Sequence, residues 1–236
     1  CFIRGNMLPE PPQPEGQVPM PVGTVTIPTL LSEAGYVNGM FGKWGLGYPG
    51  SVSDPMAFFD EFYGYNGQGP AHNYYPDYLW HNRQKFELDA KSYSHDLIMH
   101  AAKNFIRTNK NRPFFCYLPV TIPHASMHAP EELHDKYRRK FPQFENKIGK
   151  YKGPDVQNPI AAFAAMVEHL DDGIGEILTM LKELGIDEHT IVMFSSDNGP
   201  HKEGGQDPAF FNSNGPFRGI KRNLYEGGIR VPFMAR

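Results

Sequence analysis

Four places along the chain carry chemically useful side chains directly after a predicted strand or within a glycine-rich turn. They are Lys43, His124, the pair Asp197 and Asn198, and Lys221. Two ammonium groups and a protonated histidine suit an ester of a strong acid, because the cations bind the anionic oxygens and the histidine serves the leaving group. A carboxylate beside a carboxamide offers the hard oxygen ligands that Ca²⁺ or Mg²⁺ takes. These positions predict one shared crevice for an anionic ester and a metal ion.

Each of these residues also has an ordinary structural explanation. Asn198-Gly199 is a common turn pair, a single lysine is usually a solvated surface charge, and His124 has the sequence context of a turn histidine. Three further histidines are candidates for substrate contact, since loops concentrate binding residues: His72, His128 and His201.

The acidic pair Asp171-Asp172 resembles a metal site in composition only. Both residues fall inside a predicted long helix, beside its apolar stripe. We therefore expect carboxylates on the helix surface that do not contact a metal ion.

Helices and strands alternate along the chain and bring these residues to strand ends. Apolar runs predict strands over 37–41, 113–120 and 190–194, the last of them as a buried parallel strand that ends just before Asp197. Ligands of open α/β sheets bind outside the carboxyl ends of such strands. The pattern predicts an α/β fold with a mainly parallel mixed sheet flanked by helices, and a loop-rich insertion over 45–90.

Two of the predicted helices are amphipathic over their whole length. Apolar residues recur at helical spacing over 94–108 and again over 160–184. The second helix has Asn158 as its N-cap, Pro159 at its first position and Gly185 at its end, which are strong boundary signals.

Composition excludes several other classes of protein. The net charge of −3 gives no sign of a nucleic-acid partner, and no apolar stretch approaches the ~20 residues of a membrane span. Cys1 and Cys116 are the only cysteines, so there is no disulfide framework, and Cys116 in an apolar strand is expected to be inert. Because the chain starts without Met or a signal peptide, we expect it to be part of a longer protein.

Several segments, in this order, resemble the sulfatase family. Residues 35–44, Gly-Tyr-Val-Asn-Gly-Met-Phe-Gly-Lys-Trp, are similar to its second signature, and 114–130 to its strand-plus-histidine segment. Residues 169–199 are similar to its unit of helix and metal-binding strand, and 213–232 to its lysine-bearing segment. The resemblance covers nearly the whole chain and is nearest to the arylsulfatase and N-acetylgalactosamine-6-sulfatase type, particularly its bacterial members.

This resemblance implies the alkaline-phosphatase-like fold and hydrolysis of sulfate esters with bound Ca²⁺, with Mg²⁺ less favoured. Lys43 and Lys221 would bind sulfate, and His124 would contact the sulfate or protonate the leaving alcohol. Asp197 and Asn198 would be two metal ligands. The substrate would be a sulfated carbohydrate or an aryl sulfate, and the location periplasmic or secreted.

The chain also departs from the family in two ways. Gly45 stands where the family often has a histidine that supports the nucleophile. The family nucleophile is a formylglycine made in a Cys/Ser-x-Pro-x-Arg motif, and these 236 residues contain no such motif. We therefore expect residues 1–236 to be the central part of a sulfatase catalytic domain, without the N-terminal nucleophile segment and the C-terminal subdomain, and inactive in isolation.

Two other functions remain open at this point. A phosphatase or phosphodiesterase of the same superfamily would need two metal centres rich in Asp and His. A sulfatase-like module that only binds sulfated glycans would lack the nucleophile motif in the whole protein. The oligomeric state cannot be deduced from the sequence.

Overall fold

The computed structural model describes residues 15–236, which form two compact units. The first unit ends at Thr121 and contains α1 Ile27–Glu33, β1 Val37–Lys43, β2 Glu61–Tyr65, β3 Tyr78–His81, β4 Gln84–Glu87, α2 Ser94–Asn109 and β5 Phe114–Tyr117. The second unit, Ile122–Arg236, contains α3 Glu131–Lys140, β6 Ile148–Gly149, β7 Val156–Gln157, α4 Pro159–Glu183, β8 Met193–Ser195, α5 Glu226–Ile229 and β9 Phe233–Ala235. Cys1 lies outside the described residues.

A mixed sheet of five strands organises the first unit. Its order is β4-β3-β2-β1-β5, with β1 parallel to both β2 and β5, and with β3 antiparallel to β2 and β4. The helices α1 and α2 both contact β1. The range 45–90, predicted as a loop-rich insertion, contains β2 within this sheet and the β3–β4 hairpin.

Aromatic packing holds α2 on this sheet. Phe105 on α2 lies with its ring centroid 5.3 Å from that of Phe41 and 6.2 Å from that of Phe114. A side chain at Gly39 would overlap the Phe105 ring, so glycine at this position allows the helix to approach. Phe41 and Phe105 are both buried, and each ring stabilises the fold by roughly 1.5–3 kcal/mol through burial.

The long helix α4 confirms the boundaries that the sequence predicted. Asn158 is the N-cap, with its side-chain oxygen accepting from the Ala161 amide at 3.1 Å, and Pro159 is the first helical residue. Gly185 follows the last turn with φ +69°, the left-handed conformation that favours glycine. One face of the helix is buried, and α3 packs against α4; the buried side chains include Ile160, Ala161, Ala164, Ala165, Met166, Ile177, Met180 and Leu181.

The strand before Asp197 differs from its prediction as a buried parallel strand. In the structure, β8 pairs with β9 in an antiparallel sheet of two strands, and Met193 is 65% exposed. Within residues 15–236 no third strand pairs with β8, and Met193 and Ser195 are exposed while Phe194 is half-buried. An apolar run indicates a strand, but it does not specify the partner that buries it.

Two predictions from composition can be compared with the described residues. Over residues 15–236, no helix combines the length and apolar character that crossing a bilayer requires.

Cys116 is the last-but-one residue of β5, and burial raises the pKa of its thiol to about 12, an effect that Glu61 reinforces. Such a thiol stays protonated and unreactive at neutral pH, as expected for this residue.

Candidate active site

Lys43 is the last residue of β1 and lies at the carboxyl end of this strand, which pairs in parallel with both β2 and β5. Its backbone amide donates to the carbonyl of Pro119 at 2.9 Å. The backbone at Gly42, just before Lys43, lies close to the backbone at Pro119 and at Gly64. A Cβ at Gly42 (φ +142°) would overlap the Pro119 carbonyl, and a Cβ at Gly64 (φ +151°) would overlap the Gly42 carbonyl. The two glycines therefore allow three backbone segments to meet where Lys43 leaves the sheet.

His72, the other candidate in the first unit, ends a short 3-10 helix at Pro70–His72. Its ring Nδ1 lies 3.3 Å from the Gly69 carbonyl, a weak contact within its own turn. The prediction that His72 contacts substrate stays a prediction.

His124 lies in the second unit, in the loop between Ile122 and α3. Its ring Nδ1 lies 2.6 Å from the backbone carbonyl of Ala125. Because a carbonyl oxygen can only accept, Nδ1 carries a proton, and Nε2 is the nitrogen that can exchange a proton with a substrate. The same hydrogen bond would support the positive charge of the ring when Nε2 is also protonated.

A second histidine is stacked on this ring. The ring centroids of His124 and His201 lie 5.4 Å apart, and the two ring planes meet at 26°. Phe163 packs edge-on against the His201 ring, with the centroids 6.1 Å apart. His201 is buried, and its Nε2 lies 3.1 Å from the Pro123 carbonyl. His201 therefore contacts His124 in two ways, through ring stacking and through the hydrogen bond to the carbonyl of the preceding residue, Pro123.

Glu203 connects this histidine to Arg222. Its Oε2 lies 3.0 Å from His201 Nδ1, a charge contact rather than a well-directed hydrogen bond, and its Oε1 pairs with Arg222. Both ring nitrogens of His201 thus face oxygen acceptors. The carboxylate is 12% exposed, whereas the guanidinium is 71% exposed.

The pKa values of this cluster are shifted for identifiable reasons. Burial lowers the pKa of His201, and nearby Lys221 lowers it further, while the Pro123 carbonyl and Glu203 oppose them. For Glu203, burial would raise the pKa, but its own backbone amide and the charges of His201, Arg222 and Lys221 together lower it. At neutral pH the cluster therefore holds an ionised Glu203 beside a largely neutral His201.

Asp197 and Asn198 occupy the loop after β8. Asp197 is exposed, and the side-chain amide of Asn198 donates to the Gly199 carbonyl at 2.9 Å, which fixes the orientation of the carboxamide. The amide of Gly199 donates to the Gly228 carbonyl at 3.0 Å. Next to them the amide of Lys221 donates to the Pro200 carbonyl at 2.8 Å, so Lys221 and the Asp197 loop lie on adjoining segments.

The oxygen donors of this loop fit part of a site for a hard cation. One carboxylate and one carboxamide oxygen on consecutive residues are ligands that Ca²⁺ accepts, but they supply two of the six to eight oxygens that it takes. Residues 15–236 contain no cluster of three or more His, Cys, Asp and Glu side chains suited to a metal ion. Asp171 and Asp172 lie on α4 and are exposed, on the helix as predicted.

His128 lies in the same loop as His124, but the structure gives it a local contact. Its Nε2 lies 3.1 Å from the Pro154 carbonyl. This nitrogen therefore anchors the segment 150–155, and the prediction that His128 contacts substrate stays a prediction.

Comparison with known proteins identifies the class to which this fold and these residues belong. The sequence model of the sulfatase family matches residues 3–236. The chain belongs to the sulfatase family, and its fold is the alkaline-phosphatase-like fold. The crystal structure of the PsFucS1 sulfatase from Pseudoalteromonas sp. superimposes with a TM-score of 0.66 at 21% identity, covering 92% of this chain and 48% of that one.

Among curated proteins, the chain is similar to N-acetylgalactosamine-6-sulfatase of Rattus norvegicus, at 32% identity over 89% of this chain and 38% of the relative. It is also similar to N-acetylgalactosamine-6-O-sulfatase of Bacteroides thetaiotaomicron, at 36% identity over 60% of this chain and 25% of the relative. The chain thus spans less than half the length of these relatives. Sulfatases in general use a metal ion and a formylglycine residue.

The structure brings together His124 and His201, and it joins the segments of Asp197, Asn198 and Lys221 within the second unit. Lys43 and His72 belong to the first unit, so the predicted convergence of all four positions stays a prediction. Sequence analysis missed Glu203, which looks like one charge in a glycine-rich loop. The available signal was its position two residues after His201 in a segment that follows a strand.

Proposed function

We propose that the protein hydrolyses sulfate esters of sulfated sugars or glycans. The observation that carries the proposal is the sulfatase family match over residues 3–236, within which His124 has a fixed Nδ1 tautomer. The relatives named as N-acetylgalactosamine-6-sulfatases support an amino sugar with a sulfate ester as the substrate class.

In this proposal the two lysines bind the sulfate group. Lys43, at the end of β1, and Lys221, beside the Asp197 loop, would place positive charge on the non-bridging oxygens. Such charge stabilises the transition state more than the ground state when it faces the oxygens on which negative charge develops.

His124 would donate a proton to the leaving alcohol. Nε2 is the donor atom, because Nδ1 is held by the Ala125 carbonyl. His201 stacks on this ring and would limit its movement. Because His201 also contacts Glu203, we assign it the role of positioning His124 and not that of binding the substrate directly.

Asp197 and Asn198 would hold a divalent cation, for which we propose Ca²⁺ because carboxylate and carboxamide oxygens are hard ligands. When bound, this ion would neutralise charge on the sulfate ester and its nucleophile. Since the chain contains no Cys/Ser-x-Pro-x-Arg motif, the proposal assigns the formylglycine nucleophile to a residue outside these 236. We also propose a periplasmic or secreted location, which fractionation of the producing cells would test.

Sulfate release by the protein at its full natural length tests this function. The wild type should release sulfate from p-nitrophenyl sulfate and from a 6-sulfated N-acetylgalactosamine. Lys221→Ala should lower kcat/KM by roughly a hundredfold, the size of effect seen when one stabilising donor is removed. Lys182→Ala, which removes an exposed lysine in the last turn of α4, is the matched control and should change nothing. Equal activity of the two variants would refute the assignment of Lys221.

A further inference from the structure

The loop 150–155 of the second unit presents a tyrosine between two lysines next to His124. The Tyr151 ring packs edge-on against the His124 ring with centroids 6.2 Å apart, and Tyr151 is still 44% exposed. Lys150 and Lys152 flank it and are both exposed. The aromatic ring and the two ammonium groups thus form a surface directly beside the residue assigned to the leaving group.

This loop is held in place by the segment that carries His124. The Ser126 hydroxyl donates to the Lys152 carbonyl, and His128 Nε2 donates to the Pro154 carbonyl at 3.1 Å. Gly153, with φ +79°, lies against His128, where a Cβ would come within 2.9 Å of the ring. Because Ser126 and His128 follow His124 by two and four residues, the position of the loop relative to His124 is fixed.

The charges of the loop are arranged to meet an anion. Lys150 pairs with Asp155 at 2.9 Å, but the two side chains are 72% and 54% exposed, so solvent screens this pair and it holds Lys150 only weakly. No carboxylate among residues 15–236 forms an ion pair with Lys152. Lysine ammonium groups bind sulfate and phosphate oxygens as point charges, and a tyrosine ring supplies rigid, amphipathic contact area at small entropic cost.

We propose that residues 150–152 form a binding subsite for the sugar adjacent to the one whose sulfate ester is cleaved, and that this adjacent sugar itself carries sulfate. Tyr151 would contact the sugar ring and Lys152 its sulfate group. This inference rests on the proposed function, and it adds that the substrate is a sulfated oligosaccharide instead of a single sugar.

Kinetics on two substrates of different length test the subsite. The probes are p-nitrophenyl sulfate, which is too small to reach the loop, and a tetrasaccharide that carries sulfate on each N-acetylgalactosamine. In the protein at its full natural length, Lys152→Ala should raise KM for the tetrasaccharide about fivefold, equivalent to about 1 kcal/mol for an exposed charge pair. It should leave kcat and KM for the aryl sulfate unchanged. Lys182→Ala is the charge-matched control and should alter neither substrate.

An unchanged KM for the tetrasaccharide, or an equal change for both substrates, would overturn the subsite. If the wild type hydrolyses neither probe, the proposed function fails, and calorimetric titration with the same tetrasaccharide still decides the subsite. Binding that is weakened by Lys152→Ala but not by Lys182→Ala supports it. Equal affinity of the two variants overturns it.

Discussion

Replacement of Glu203 by Gln tests whether the buried carboxylate positions the two stacked histidines. The variant keeps the size of the side chain and one acceptor oxygen but removes the negative charge. In the wild type that charge lies 3.0 Å from His201 Nδ1, and the two side chains are only 12% and 9% exposed. Because the His201 ring stacks on the His124 ring with centroids 5.4 Å apart, a displacement of His201 would also displace His124.

The expected magnitude follows from burial and geometry. A hydrogen bond to a charged group contributes about 1.5–3 kcal/mol, and because no well-directed hydrogen bond joins His201 and Glu203, their charge contact contributes less, about 1 kcal/mol. The pair with Arg222 adds at most about 1 kcal/mol, because that guanidinium is 71% exposed. We expect the free energy of unfolding to fall by about 1–2 kcal/mol. If the same loss appears in the transition state, kcat falls about tenfold.

The pH dependence of stability gives a readout that a purely steric change would not produce. Burial lowers the pKa of His201, so the folded state favours the neutral ring. The stability from this group is present above its unfolded pKa, near 6.5, and is lost as the pH falls toward the lowered folded value. Glu203 opposes the lowering, so its removal lowers the folded pKa further. Glu203→Gln should therefore lose more stability between pH 7 and pH 5 than the wild type does.

The assay combines urea unfolding at several pH values with steady-state kinetics on p-nitrophenyl sulfate at the full natural length of the protein. Glu183→Gln, at the exposed end of α4, is the matched control. A variant Glu203→Gln with wild-type kcat and wild-type pH dependence of unfolding would refute the positioning role.

Three further predictions concern the cap of α4, the half-buried His134 of α3 and the proposed metal ligand Asp197. Asn158→Ala removes the side-chain cap of the helix and should lower the free energy of unfolding in urea by about 2 kcal/mol, and a loss below 0.5 kcal/mol would contradict the capping role. Burial lowers the pKa of His134, so His134→Gln should lose less stability between pH 7 and pH 5 than the wild type does; an identical pH dependence would contradict this. Asp197→Asn should weaken Ca²⁺ binding at least tenfold in calorimetric titration at full natural length, and unchanged affinity would exclude this ligand.

Local signals predicted the helices well because their determinants are close in sequence. Asn158, Pro159 and Gly185 define the ends of α4 through contacts within a few residues, and the apolar spacing defines its buried face. The strand β1 was predicted to end near Phe41 and continues to Lys43. This extension depends on Gly42 and Gly64, whose close approach joins strands that are distant in sequence.

Contacts between distant segments could not be predicted in the same way. The antiparallel pairing of β8 with β9 joins Met193 to Ala235, and no local pattern specifies that partner. The Glu203–Arg222 pair likewise joins two loops that each look solvated in sequence. His201 was predicted as a substrate contact from its loop context, whereas its burial and its two oxygen neighbours became visible only in the structure.

Comparison of sulfate and phosphate ester hydrolysis tests the central claim most directly. The protein at its full natural length would be assayed with p-nitrophenyl sulfate and p-nitrophenyl phosphate under identical conditions with added Ca²⁺, and the released anions measured by ion chromatography. We predict that sulfate is released with the higher kcat/KM and that Lys221→Ala abolishes most of this release while Lys182→Ala does not. Release of phosphate without release of sulfate would contradict the account and identify a phosphatase on the same fold.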